Sequence, residues 1–79
     1  MANSWKYKYG DNEIVVKNKG FNGEELYVNG ELQDKIPVGG MYASRLFGKL
    51  ESGEEIKVSV GGFLKMQCCL FIDNKLQSE

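Results

Sequence analysis

Apolar and polar residues alternate along much of this chain with a period of two, which predicts strands that bury one face. Trp5, Tyr7 and Tyr9 fall on one side of a first strand, with Lys6 and Lys8 on the other. Gly10-Asp11-Asn12 then turns the chain into a second strand from Glu13 to Asn18. Asn29-Gly30 is the strongest hairpin signal, because a type I′ turn needs positive φ at both central residues; Asp73-Asn74 meets that need less comfortably. Ser52-Gly53 separates a strand near Ser44 to Leu50 from one at Glu55 to Val60. Met41 to Leu50 is the best helical candidate, but it has no good cap and ends near glycine, so strand is expected there instead.

The pattern nearly repeats. LYVNGELQ, beginning at Leu26, returns as LFIDNKLQ, beginning at Leu70, and Glu13-Ile14-Val15-Val16 is matched by Glu55-Ile56-Lys57-Val58. Gly20-Phe21 is matched by Gly62-Phe63, and continuing leftward Trp5 falls on Phe47. An internal duplication would give this, and so would repeated hairpin chemistry. The expected fold is an all-β domain over residues 1–79, with half-repeats at 5–35 and 47–79. Seven to eight antiparallel strands form a small β-sandwich or barrel. Ile36 to Arg45, with Pro37, Gly39 and Gly40, would join the halves.

Hairpin geometry assigns the faces. With Asn29-Gly30 at the turn, Val28 pairs with Glu31, Tyr27 with Leu32 and Leu26 with Gln33, and the second hairpin places Phe71 beside Leu76. Both hairpins are then apolar on both faces of their first strand. One face is core; the other needs cover from loops or a partner. The pressure is greatest at MQCCLFI, Met66 to Ile72, which carries no formal charge. It reads either as a central strand covered on both sides or as a surface for self-association, with Leu26, Leu70 and Ile72 as the expected contributors to a homodimer interface.

Composition narrows the chemistry. Ten Lys and Arg against eleven Asp and Glu, with no His, give a net charge of −1, which argues against a dedicated nucleic-acid binder. The absence of His largely closes the catalytic-triad and metal routes. Cys68 and Cys69 are adjacent and point to opposite faces of a strand, so they are read as small apolar residues rather than as a disulfide or metal pair. Glu24-Glu25 and Glu54-Glu55 read as solvated turn residues, and VGGMY and VGGFL as bends at sheet corners. No cofactor and no enzymatic activity are expected. No segment is long and apolar enough for a membrane span or a secretory signal, so a cytoplasmic protein without a membrane partner is expected. Trp5, Tyr7 and Tyr9 are the candidate ligand-binding residues, able to stack sugars or bases if exposed together; packing as core or rim is the competing role.

EIVVKNKGFNGEELYVNGELQDK, a middle strand pair and CCLFIDNKLQ together resemble the β-sandwich repeat of the Fas apoptotic inhibitory molecule family. That resemblance implies a non-enzymatic sandwich acting through protein contacts, and it transfers no site residues. The expected function is a binding or assembly module engaging itself or another protein. The alternative is a carbohydrate or single-stranded nucleic-acid module using the aromatic strand.

Overall fold

A computed structural model describes residues 3–19, 23–36, 44–61 and 67–78 of the chain. The described residues contain strands and turns and no helix. Eight strands follow one another: β1 Asn3–Tyr9, β2 Asn12–Asn18, β3 Glu24–Val28, β4 Glu31–Ile36, β5 Ser44–Lys49, β6 Glu55–Gly61, β7 Gln67–Ile72 and β8 Lys75–Ser78. They form two four-stranded antiparallel meanders, β1-β2-β3-β4 and β5-β6-β7-β8, packed as a β-sandwich. Ser44–Lys49 is strand, which removes the helical option there.

Alternation decides the burial. On β2, Ile14, Val16 and Asn18 point inward; on β6 it is Ile56, Val58 and Val60, and on β7 Cys68, Leu70 and Ile72. These meet Leu26, Val28, Leu46 and Leu50 in one core between the sheets. Each such buried aliphatic side chain contributes about 1.5–3 kcal/mol relative to exposure.

Both type I′ turns form as expected. Asn29 and Gly30 have φ of 51° and 84°, Asp73 and Asn74 of 50° and 66°. The two turns are also tied to their neighbours in the same way. Asn29 donates its amide to the Glu13 carbonyl at 2.8 Å while its Oδ1 accepts from the Glu13 amide at 2.9 Å. Asp73 does the same to Glu55, at 2.8 and 2.9 Å.

Two registers differ from expectation. A bulge between Leu26 and Tyr27 sets Leu26 opposite Asp34 rather than Gln33, and β7 has a bulge at the same place, between Leu70 and Phe71. Trp5 lies opposite Val16, but the residue opposite Val58 is Leu46, so Trp5 corresponds to Leu46 rather than to Phe47. Four residues separate the paired Lys8 and Glu13, and five separate the equivalent pair Lys49 and Glu55, which shifts the frame. Because a one-residue slip reverses every side chain, Phe47 points outward, as Lys6 does.

The sheets close most tightly where β4 crosses β5. A Cβ on Gly48 would sit 3.1 Å from Leu26 Cδ2 and 3.3 Å from Gln33 Cβ, so glycine permits the approach. Asp34 then joins the two edge strands, its Oδ2 accepting from the Phe47 amide at 2.8 Å. The connection expected at Ile36 to Arg45, the VGGMY and VGGFL bends and the Gly-Phe steps lie wholly or in part outside the described residues.

Candidate protein-binding faces

The outer face of the second sheet carries a straight cross-strand row. Phe47 lies opposite Lys57, Lys57 opposite Phe71, and Phe71 opposite Leu76, so one rank crosses β5, β6, β7 and β8. Lys57 Nζ is held 5.0 Å from the centroid of the Phe71 ring, a cation–π contact that pins the middle of the row. Its two ends stand in solvent, with Phe47 55% and Leu76 50% exposed. A shallow depression beside Phe47 is bounded by Lys57, Glu55 and Asn74.

The outer face of the first sheet is built on the same plan with different chemistry. Its corresponding rank is Lys6, Val15, Tyr27 and Leu32, the last 50% exposed. Around Tyr27 lies a polar network: its hydroxyl donates to Glu25 Oε1 at 2.7 Å, Lys19 Nζ is 3.0 Å from the same oxygen, and Lys17 Nζ is 5.0 Å from the ring centroid. The Tyr27 hydroxyl, and then Lys19, hold the Glu25 carboxyl below its ordinary range. In return the Glu25 hydrogen bond raises both the Tyr27 hydroxyl and the Lys19 ammonium.

A second polar group lies inside. Asn18 Nδ2 donates to Glu24 Oε2 at 2.8 Å, and both residues are buried. Glu24 Oε1 is buried with no partner among the described residues. Close by, the Tyr7 hydroxyl donates to the Cys68 carbonyl at 3.4 Å. Burial pushes the Cys68 thiol up, which keeps it protonated and a poor nucleophile. Cys68 and Cys69 are both free thiols, one buried and one half-buried. No group of three or more His, Cys, Asp or Glu side chains suited to a metal occurs among the described residues, and no helix there is long and apolar enough to cross a membrane.

Of the residues singled out from sequence, the aromatic trio takes the core-or-rim role rather than that of a platform, and the expected interface residues lie inside. Trp5, Tyr7 and Tyr9 share a face, but it is the inward face of β1, where they are half-buried against the core. They do not stand out together as a stacking platform. Leu26, Leu70 and Ile72, expected at a homodimer interface, are 0%, 1% and 2% exposed within their own chain. No second copy reaches them while the sandwich is closed. The apolar pairs left outside are their neighbours, Tyr27 with Leu32 and Phe71 with Leu76. Of MQCCLFI, Met66 is outside the described residues; the rest is an interior strand of its sheet, buried inward and half-covered at Cys69 and Phe71.

Glu24 and Glu25 are likewise buried strand residues rather than solvated turn residues. The signal was present, since Glu24 lies in phase with Leu26 and Val28 and so had to face the core. Phe47 was missed because Leu46 and Phe47 are both apolar, and alternation alone does not say which points in. Comparison with known family models, curated proteins and solved structures found no match to this chain.

Proposed function

We propose that this chain is a non-enzymatic binding and assembly module that meets a second copy of itself through the outer face of its second sheet. The observation carrying this reading is the row Phe47, Lys57, Phe71 and Leu76, with both apolar ends in solvent. Its order, apolar, cation, aromatic, apolar, is complementary to its own reverse. A two-fold axis parallel to the strands, midway between β6 and β7, would set each Phe47 against the other copy's Leu76 and each Lys57 against the other copy's Phe71. Such isologous pairing is the commonest form of self-association, and stacking of two sheet faces is an ordinary packing mode. The resemblance of residues 13–35 and 68–77 to the Fas apoptotic inhibitory molecule repeat supports the same class of function, protein contacts without catalysis.

The affinity should be low. Covering the exposed halves of Phe47 and Leu76 contributes about 1 kcal/mol per side chain, and each cation–π contact about 0.5–2 kcal/mol. Against an association cost of at least about 4 kcal/mol, this supports a dissociation constant of about 1 mM at the tightest. Assembly would then depend on high local concentration. Sedimentation equilibrium up to about 2 mM tests the reading. The expected result is a concentration-dependent dimer that Phe47→Asp or Leu76→Asp abolishes and that Leu32→Asp, on the other sheet, leaves intact. A wild-type monomer throughout, or a dimer indifferent to Phe47→Asp in a folded variant, overturns it.

A further inference from the structure

We infer that the outer face of the first sheet is a second docking surface, and that its partner is an extended acidic segment of another polypeptide. The side chains pointing outward from β1, from β2 and the residue that follows it, and from β3 and β4 include Lys6, Lys8, Lys17, Lys19 and Lys35, against Glu13 and Glu25. This is a basic surface on a chain whose net charge is −1. The other carboxylates Asp11, Glu31, Glu51, Glu54 and Asp73 lie in or beside the hairpin turns rather than on this face. Lys8 stands at the end of the first sheet that carries Asp11 and Glu31, and Lys17, Lys19 and Lys35 toward the other.

Lysines on an edge strand guard it against pairing with other chains. That accounts for part of the role of Lys6 and Lys8 on β1 and of Lys35 on β4. Lys17 on the interior strand β2 and Lys19 just beyond its end instead pack on Tyr27 and pair with Glu25, respectively. This leaves Lys6, Lys8 and Lys35 as the lysines of this face without a carboxylate contact among the described residues. Lys6 and Lys8 are alternate residues of one strand, so their side chains recur at about 7 Å. Alternate carboxylates of an extended peptide recur at the same spacing. Between the lysines, Val15 and Leu32 offer apolar contact to the side chains that alternate with those carboxylates.

A nucleic acid fits this face less well. Single strands are held by stacking bases on exposed aromatic rings. The one aromatic side chain here, Tyr27, lies under Lys17 and is tied through its hydroxyl to Glu25, so its ring is not open to stack a base.

The inference is independent of the dimer proposed above, which uses the opposite face. It is tested by titrating isotope-labelled protein with a peptide alternating glutamate and leucine, alongside a lysine-leucine peptide and oligothymidylate. Binding of the acidic peptide should shift amide signals of β1 to β4 and weaken several-fold between about 50 and 200 mM salt. Lys6→Glu with Lys8→Glu should reduce affinity at least about tenfold while the amide spectrum stays that of a folded sandwich. Lys49→Glu, on the second sheet, should leave binding unchanged, and so should the dimer-breaking Phe47→Asp. Absence of shifts at millimolar peptide, shifts confined to β5 to β8, or equal binding of the lysine-leucine peptide overturns the inference. Tighter binding of oligothymidylate assigns the face to nucleic acid. Salt-sensitive self-association involving the acidic turns assigns it to a second copy, and either result overturns the proposal.

Discussion

Glu25 shows how one side chain can tie down a sheet face. It is covered by its neighbours, yet its carboxyl oxygen accepts from Tyr27 at 2.7 Å and pairs with Lys19 at 3.0 Å. These partners favour the ionised form and so depress the folded-state pKa below the ordinary value of 4.5. A depressed carboxylate stabilises the folded state above its unfolded value, and that contribution is lost as pH falls through the folded value. Glu25→Gln is therefore expected to lower the melting temperature at neutral pH and to narrow the gap from wild type below about pH 4. Circular-dichroism melts from pH 7 to pH 3 would check this; a gap that widens with acid would contradict it. None of this was evident from the glutamate pair in the sequence: both partners, Lys19 and Tyr27, lie nearby in the chain, but Lys19 reaches Glu25 only because β2 pairs with β3.

At the scale of the strand, the edges of β4 and β5 explain why the sandwich does not simply splay open there. The two are not paired as a ladder. Asp34 spans them, with Oδ2 on the Phe47 amide and Oδ1 on the Lys35 amide, both at 2.8 Å. This also occupies one of the outward-facing amides of β5, which would otherwise be open to another chain. Asp34→Ala should cost about 1 kcal/mol in urea denaturation and speed amide hydrogen exchange at Phe47 beyond its strand neighbours. Unchanged exchange at that amide would show that the bond does not hold the edge. The eight strands and their turns were largely legible in the sequence, because φ requirements and alternation are local. The bulges after Leu26 and Leu70 were not, since a bulge is a relation between two strands.

For the whole molecule, the decisive question is which apolar residues are interior. Leu70 and Leu76 belong to the same hairpin, yet one is 1% and the other 50% exposed. Leu70→Ala should destabilise the domain by about 2–5 kcal/mol, and Leu76→Ala by no more than about 0.5 kcal/mol, in the same chemical denaturation series. Similar losses for both would mean that the sheet is covered on its outer side as well. Period-two patterning and the glycine, asparagine and aspartate at the hairpin tips were enough to establish an antiparallel all-β fold with its turns, since each depends on residues near one another in the chain. Whether Trp5, Tyr7 and Tyr9 face water or core, which of Leu46 and Phe47 turns inward, and that Leu26, Leu70 and Ile72 are sealed inside were settled only when the sheets packed. A strand has two faces, the sequence makes several of them apolar on both, and a face becomes interior through contact with a second sheet drawn from the other half of the chain.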